Sequence, residues 1–372
     1  MKVVIAPDSY KGALRAEAVA QALAEGWHSV FPADELCCIP LSDGGEGMAV
    51  ALAAACGGEV VRIPACDALM RPVETKAVML GSVAVLESAE ANGIERLSRS
   101  ELNPLAATTY GVGVMIKALL DRGCRDFLIG IGGSATVDGG AGMLQALGME
   151  FFDIRNKILP AGCGGGDLRH IYRVDSGKLD PRLSGCRIKV ACDVTNVLCG
   201  ENGSAAVFGP QKGATPEMVQ SLDENLAHWA ELFGSSGNSA GDGAAGGLGF
   251  ALREIVHGEL VSGADLVMEY SGFESAVKDA DLVITGEGCS DEQTAYGKLC
   301  ARVAEKAAGY GVPTILVSGA LRGDTSMLEK LFCGCFSISP GAVSLDEAIA
   351  GTRKNLLRTG ANISRLIHMM EK

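Results

Sequence analysis

The sequence has little of what most metal, acyl-transfer and nucleic-acid proteins need. Thirteen cysteines occur, an odd count, yet no two are spaced as Cys-x-x-Cys, and the five histidines are dispersed. That pattern excludes the usual zinc spacings and fits free thiols in a reducing compartment. Positive charge is scarce: 32 Lys and Arg stand against 45 Asp and Glu, a formal net charge of −13. A polyanion is gripped by clustered Lys and Arg, so nucleic acid is excluded as a partner and the excess charge reads as solubility. Apolar runs are broken by glycine or charge well before the roughly 18 residues that span a bilayer, so no membrane is expected. The opening Met1–Ile5, followed by Pro7-Asp8, lacks the long apolar stretch of a signal peptide. The expected location is cytoplasmic. No repeat period or low-complexity tract is present, and no Gly-Lys is followed by Ser or Thr, so there is no Walker A loop.

What is present is glycine, 50 residues in 372, gathered in clusters where apolar runs end. The length suits two domains. Lys2 to Ala6 reads as a buried strand, Leu14 to Val30 as an amphipathic helix, and Glu35 to Leu41 as a second strand leading to a helix near Ala55. From Val60 the pattern changes to a meander: Val60 to Pro64, Val73 to Leu80, Val83 to Glu87. A helix over Ala107 to Arg122, strands over Asp126 to Ile131 and Lys189 to Cys192, and a helix over Pro216 to Phe233 follow. Gly234 to Gly249 reads as a loop. Strand and helix alternate again over Asp281–Thr285, Lys298–Tyr310, Pro313–Ser318 and Cys335–Ile338, and Leu345 to His368 closes the chain as a helix. The expected architecture is α/β: a Rossmann-like parallel-sheet domain formed by both chain ends, residues 1–65 and 278–372. A second α/β domain, 66–277, is inserted into it, and the active site is expected in the cleft between them.

Five glycine-bearing turns carry the chemistry. Asp8, Ser9 and Lys11 follow the first strand, where loops at carboxyl ends of an open parallel sheet face ligands. The alternative there is a capped turn with a surface lysine. Ser42-Asp43-Gly44-Gly45-Glu46-Gly47 precedes a helix whose first N–H groups are free to meet a ligand, with Asp43 a metal or proton acceptor. A plain helix start is the alternative. The longest cluster, Gly130 to Gly142, places Gly132, Gly133, Ser134, Thr136, Asp138 and Gly139 between a strand and a helix, suited to presenting several backbone donors to an anion. Tight strand-to-helix packing would produce a similar cluster. Asp193 directly follows a strand and could serve as general base or Mg²⁺ ligand, while Lys212 could meet a phosphate; an Asx turn and a solvated lysine are the bland readings. Thr285 to Lys298 is a further acidic loop, with Asp291 and Lys298 on it, or a packed turn with solvated charges. Ser239-Ala240-Gly241-Asp242-Gly243 carries a faint sugar-kinase pattern with an Asp at a helix start.

Taken in order, Lys2–Gly12, Pro40–Gly47, Asn103-Pro104-Leu105, Gly130–Gly148, Ala191–Gly213, Gly243–Leu252 and Asp281–Lys298 resemble the bacterial two-domain glycerate kinase family. The resemblance implies ATP-dependent phosphorylation of D-glycerate, at the 2-hydroxyl, with Mg²⁺ accompanying the nucleotide. A small hydroxy acid and a nucleotide are the implied partners, and a homodimer is left open. Phosphoryl transfer needs charge screening and an aimed alcohol. Within the resemblance, Lys11 and Arg71 would neutralise the carboxylate or the phosphates. Asp193 or Asp43 would orient the substrate hydroxyl while the other holds Mg²⁺. Asp8, Ser9, Asp291 and Lys298 would complete the acid site, and the Gly132–Gly140 loop would cradle an anion.

The sequence departs from the family pattern at four places. Cys289-Ser290 stand where Arg and an aliphatic residue are usual, Val137 where Asn is, Val197 where Pro is, and Ser42 where Ala is. Loss of an arginine removes a bidentate anion contact. A kinase for a related hydroxy acid, and a weakened paralogue that binds glycerate or nucleotide, are therefore the competing readings.

Overall fold

The computed structural model describes residues 1–42, 47–295 and 298–370. Two compact units account for them. One gathers the described residues among 1–43, 50–57 and 264–372, the other those among 44–49 and 58–263. They are called here the end unit and the central unit.

The end unit is built on a five-stranded sheet in the order Gly334–Ser337, Thr314–Ser318, Leu282–Thr285, Lys2–Ile5, Glu35–Cys38, parallel throughout. Val4 lies opposite Val283 on one side and Cys37 on the other. Its three inner strands are apolar runs buried on both faces, as helix-covered parallel strands must be. Numbered along the chain, the order is the doubly wound 2-1-3-4-5, whose switch point falls between Lys2–Ile5 and Leu282–Thr285. Helix Ala16–His28 packs on Thr352–Met370, burying Val19, Leu23 and Trp27 against Leu356 and Ile363. The Trp27 indole donates to Asp34 at 2.7 Å, and the His368 ring stacks on Phe31 at 3.5 Å.

The central unit carries a six-stranded mixed sheet: Glu259–Val261, Arg187–Ala191, Asp126–Gly130, Val83–Glu87, Pro72–Leu80, Glu59–Cys66. The first four run parallel and the last three antiparallel. Exposed and buried residues alternate along most of Glu59–Cys66, whereas Asp126–Gly130 is buried after its first residue. That contrast is the physical origin of the changed pattern after Val60. Phe127, Phe151, Trp229 and Phe250 form the centre of its core.

The α/β, parallel-sheet expectation is met. Two local expectations are corrected. The closing helix is two, Leu345–Ala350 and Thr352–Met370, because Gly351 caps the first, its N–H returning to Glu347 and Ile349. The Gly234–Gly249 stretch ends in a left-handed turn at Ala245, Gly246 and Gly247 (φ 52°, 76° and 87°), and Leu248–Phe250 is already helical.

Candidate active-site loops

In the central unit, the strand Asp126–Gly130 breaks into the long glycine loop before helix Ala141–Ala146. Asp138 anchors that loop from beneath. It is fully buried; Oδ2 accepts from Thr109 N (2.7 Å), Thr109 Oγ1 (2.7 Å) and Gly142 N (3.2 Å), and Oδ1 from Gly140 N (3.1 Å). Burial pushes its carboxyl up, and the four donors work in the opposite direction. Asp138 therefore shapes the loop rather than offering itself to a ligand. Gly139 is held on both sides, its N–H donating to Gly246 O (2.9 Å) and its carbonyl accepting from Trp229 Nε1 (3.0 Å).

Lys212 lies buried under the same loop. Its ammonium donates to Ser134 Oγ (2.9 Å) and Thr136 O (2.7 Å). Burial pushes this lysine down to about 7, against the opposing pull of the Asp138 charge. Thr136 Oγ1 accepts from Asn92 Nδ2 at 3.0 Å. Ser88 Oγ and Asn92 Oδ1, both buried nearby in sequence, have no hydrogen-bond partner among the described residues. The N–H groups of Gly132, Gly133 and Ser134 likewise donate to no acceptor among the described residues. Three successive unbonded backbone donors thus lie on the loop whose Ser134 and Thr136 hold the Lys212 side chain, and backbone donors of this kind are the groups that anion sites use.

Asp193 is exposed past the end of strand Arg187–Ala191, and its Oδ1 accepts from Gly263 N at 3.0 Å. The Arg71 guanidinium is bound by two carboxylates, Asp67 (2.6 Å from Nε) and Glu101. Those bonds hold Arg71 above the usual arginine range, and hydrogen bonds from Ser98, then the one from Arg71, hold Glu101 down at about 2. Asp242, of the faint sugar-kinase pattern, is buried and takes a bidentate pair from Arg253 (2.8 and 3.1 Å), so it is tied into the scaffold.

Asp43 lies outside the described residues. The helix after it does not offer a free start, which corrects that expectation: Gly47 N and Ala49 N donate to the Glu87 carboxylate at 3.0 and 2.8 Å. A carboxylate already complements the positive end of that helix.

In the end unit, loops leaving Lys2–Ile5, Leu282–Thr285 and Thr314–Ser318 are stitched together at the topological switch. Asp8 N donates to Gly286 O (2.8 Å), and the buried Tyr10 hydroxyl to Val317 O (2.6 Å). A side chain at Gly286 would put its Cβ 1.8 Å from Val317 O, so only glycine permits this approach. Asp8 Oδ1 accepts from Ser9 N (2.6 Å), Lys11 is exposed, and Lys298 pairs loosely with Asp291 at 3.9 Å. Asp8, Ser9, Lys11, Asp291 and Lys298 are thus drawn onto neighbouring loops of one sheet edge.

Sequence reasoning missed Glu287, which stands between Gly286 and Gly288 at the carboxyl end of Leu282–Thr285. Its Oε1 accepts from Ser290 Oγ (2.8 Å) and Thr294 Oγ1 (2.7 Å). The available signal was an acid flanked by two glycines directly after a buried strand. Ser88 and Asn92 were missed too, with no pattern to mark them. Among the described residues no three His, Cys, Asp or Glu side chains gather as a metal cluster. All thirteen cysteines are free thiols.

Comparison with known proteins is consistent along the whole chain. The model of the glycerate kinase family matches residues 3–368. A glycerate kinase of Bacillus subtilis (strain 168) is 43% identical over 377 residues, covering 99% of this chain and 98% of that one. A glycerate 2-kinase of Escherichia coli (strain K12) is 41% identical, covering 98% and 97%. A solved structure described as a glycerate kinase 2 from Salmonella typhimurium LT2 superposes with a TM-score of 0.90 at 39% identity, covering 100% of this chain and 99% of that one.

Proposed function

The chain belongs to the glycerate kinase family, and from that premise we propose that it transfers the γ-phosphoryl group of ATP to the 2-hydroxyl of D-glycerate. The observation that carries this reading is the central-unit loop. The N–H groups of Gly132, Gly133 and Ser134 are unbonded among the described residues, and the same loop holds the Lys212 side chain through Ser134 and Thr136, a donor set suited to phosphate oxygens. That loop holds the phosphates, with Asp138 and Gly139 keeping its shape.

Phosphoryl transfer is mainly positioning and charge stabilisation. Asp193, exposed at a strand end, aims the substrate hydroxyl and accepts its proton. Lys11, with Asp8, Ser9, Asp291 and Lys298 on the adjoining loops of the end unit, recognises the hydroxy acid. Mg²⁺ typically needs only one or two protein carboxylates beside substrate phosphates, so with Asp193 on the hydroxyl, Asp43, which lies outside the described residues, would hold it without a dedicated cluster. When bound, Mg²⁺ neutralises charge on the phosphates.

Replacing Asp193 by Asn tests the assignment. The variant should melt like the parent and lose about 10³-fold or more in turnover, the usual worth of a positioned base with its charge. Near-normal phosphorylation of glycerate would remove Asp193 from this role, and ³¹P NMR of the product distinguishes 2- from 3-phosphate. A kinase for a related hydroxy acid is the second reading, favoured by the exposed Cys289 beside Glu287 where the family usually places arginine. Turnover on another hydroxy acid but not on glycerate would select it.

A further inference from the structure

Glu287 is held in a way that a merely structural carboxylate does not need. Its Oε1 is the sink of two hydroxyl chains whose direction is fixed, because a carboxylate only accepts. The Ser290 proton points to Oε1 at 2.8 Å, so the 2.7 Å contact between Ser290 and Ser318 must be donated by Ser318. The Thr294 proton points to Oε1 at 2.7 Å, and Thr294 Oγ1 in turn accepts Asp291 N at 3.1 Å. Ser290, Thr294 and Ser318 are all fully buried. The glutamate backbone is fixed as well, its carbonyl accepting from Gly319 N at 3.0 Å.

Among the described residues nothing donates to Oε2, and no cation pairs with Glu287. A latch within a loop would be satisfied by either oxygen. Here one oxygen takes both donors, from Ser290 on the short strand Cys289–Ser290 and from Thr294 on the turn Glu292–Ala295, while the other stays an open acceptor. It does so at the switch point of the parallel sheet, where ligands of such sheets bind. Burial raises the Cys300 thiol, and the Glu287 and Asp8 charges raise it further.

We propose that Glu287 is the specificity-determining residue that accepts a hydrogen bond, through Oε2, from the non-reacting hydroxyl of the hydroxy-acid substrate. The assignment rests on the reading of the chain as a kinase of glycerate, whose second hydroxyl is the donor. Ser290, Thr294 and Ser318 are positioning residues for it. A part-buried acceptor that the bound acid closes off from water rejects the analogue lacking the hydroxyl, because the acceptor is then left unpaired.

The test compares D-glycerate with D-lactate, which keeps the 2-hydroxyl and lacks the 3-hydroxyl, for the whole protein and for Glu287→Gln. Glutamine has the same shape, but the donors on Oε1 force its amide nitrogen to the open side. The parent should favour glycerate over lactate by about 10²-fold or more in kcat/KM. The Glu287→Gln variant should lose about 10²-fold on glycerate, chiefly through KM, and stay within about threefold on lactate, so that the preference collapses. Thr294→Val, which keeps the carboxylate and frees its orientation, should move the ratio the same way by about tenfold. Equal losses on both acids, or an unchanged ratio, would overturn the proposal. Calorimetric titration of both acids reads the same ratio without turnover. A parent that phosphorylates no glycerate therefore refutes the kinase assignment, while titration still decides Glu287. If Glu287→Gln fails to fold, Thr294→Val and Ser318→Ala carry the decision.

Discussion

The glycine loop of the central unit and the acidic loops of the end unit occupy the same topological place, at carboxyl ends of parallel strands, and are built in opposite sense. The first buries a lysine against a loop of unbonded backbone donors: Lys212 donates to Ser134 and Thr136 of the loop that carries the N–H groups of Gly132–Ser134. The second keeps an anion on a row of buried hydroxyls: Glu287 on Ser290 and Thr294, with Ser318 behind. Backbone donors on a loop that holds a lysine select an acceptor-rich ligand such as phosphate, and an oriented carboxylate selects a hydroxyl. One scaffold rule thus yields two chemistries, decided by what is buried under the turn rather than by the turn itself.

The largest expected effect breaks the cationic side. Lys212→Met keeps the length and removes the charge, and should lower kcat/KM for the nucleotide by about 10²–10³-fold, the loss typical of one preorganised donor. A loss below tenfold would move the phosphate elsewhere. The same lysine makes stability depend on pH. Its folded-state value of about 7 lies below the ordinary lysine range, so between the two the unfolded chain binds more protons and stability rises with pH. Below pH 7 both states are protonated and the cost of the buried charge is fully present. Urea unfolding from pH 6 to 9 should show that rise in the parent, and the Met variant should lack it. Phosphate bound over the ammonium favours its charged form, so nucleotide binding near pH 7.5 should take up a proton. Calorimetry in buffers of different ionisation enthalpy reads that uptake directly.

A second prediction separates the loop's shape from its charge. Gly246 sits at φ 76°, and a Cβ there would fall 1.9 Å from Thr136 O. Gly246→Ala should cost about 2–4 kcal/mol by denaturant unfolding, combining the left-handed backbone penalty with the clash. The displaced Thr136 carbonyl would also release the Lys212 ammonium. A variant with parental stability would mean that the left-handed turn is not what supports the loop.

The sequence made the strands legible because buried parallel strands are apolar runs, as Leu282–Thr285 and Thr314–Ser318 show. It made the loops legible because glycine clusters ended those runs. It could not show which side chains lie beneath them. Lys212 reaches Ser134 across 78 residues, and Glu87 reaches Ala49 across 38. Such contacts are set by packing, not by local pattern. Glu287 carried a weak local mark between two glycines, but its meaning comes from Ser318 on another strand. Asp138 and Asp242 were visible as acids in glycine-rich segments. Their burial alone distinguishes a loop anchor and a scaffold pair from groups that meet a ligand.

The smallest expected effect concerns Arg71, because the contrast between the two loops requires cations to be judged by what already holds them. Its side chain is about half exposed and lies between Asp67 and Glu101. Exposed pairs of this kind contribute about 0–1 kcal/mol after solvent screening. Arg71→Lys should therefore leave the denaturant unfolding midpoint close to the parent's, since lysine keeps the charge and loses the fork. If the two carboxylates are the partners of Arg71 in the working enzyme, kcat/KM for the acid should change by less than about threefold, a loss of only about 0.6 kcal/mol. A fall of 10²-fold with unchanged stability would mean that the guanidinium leaves Glu101 to grip the substrate carboxylate. Arg71 would then be a substrate-binding residue in the full sense.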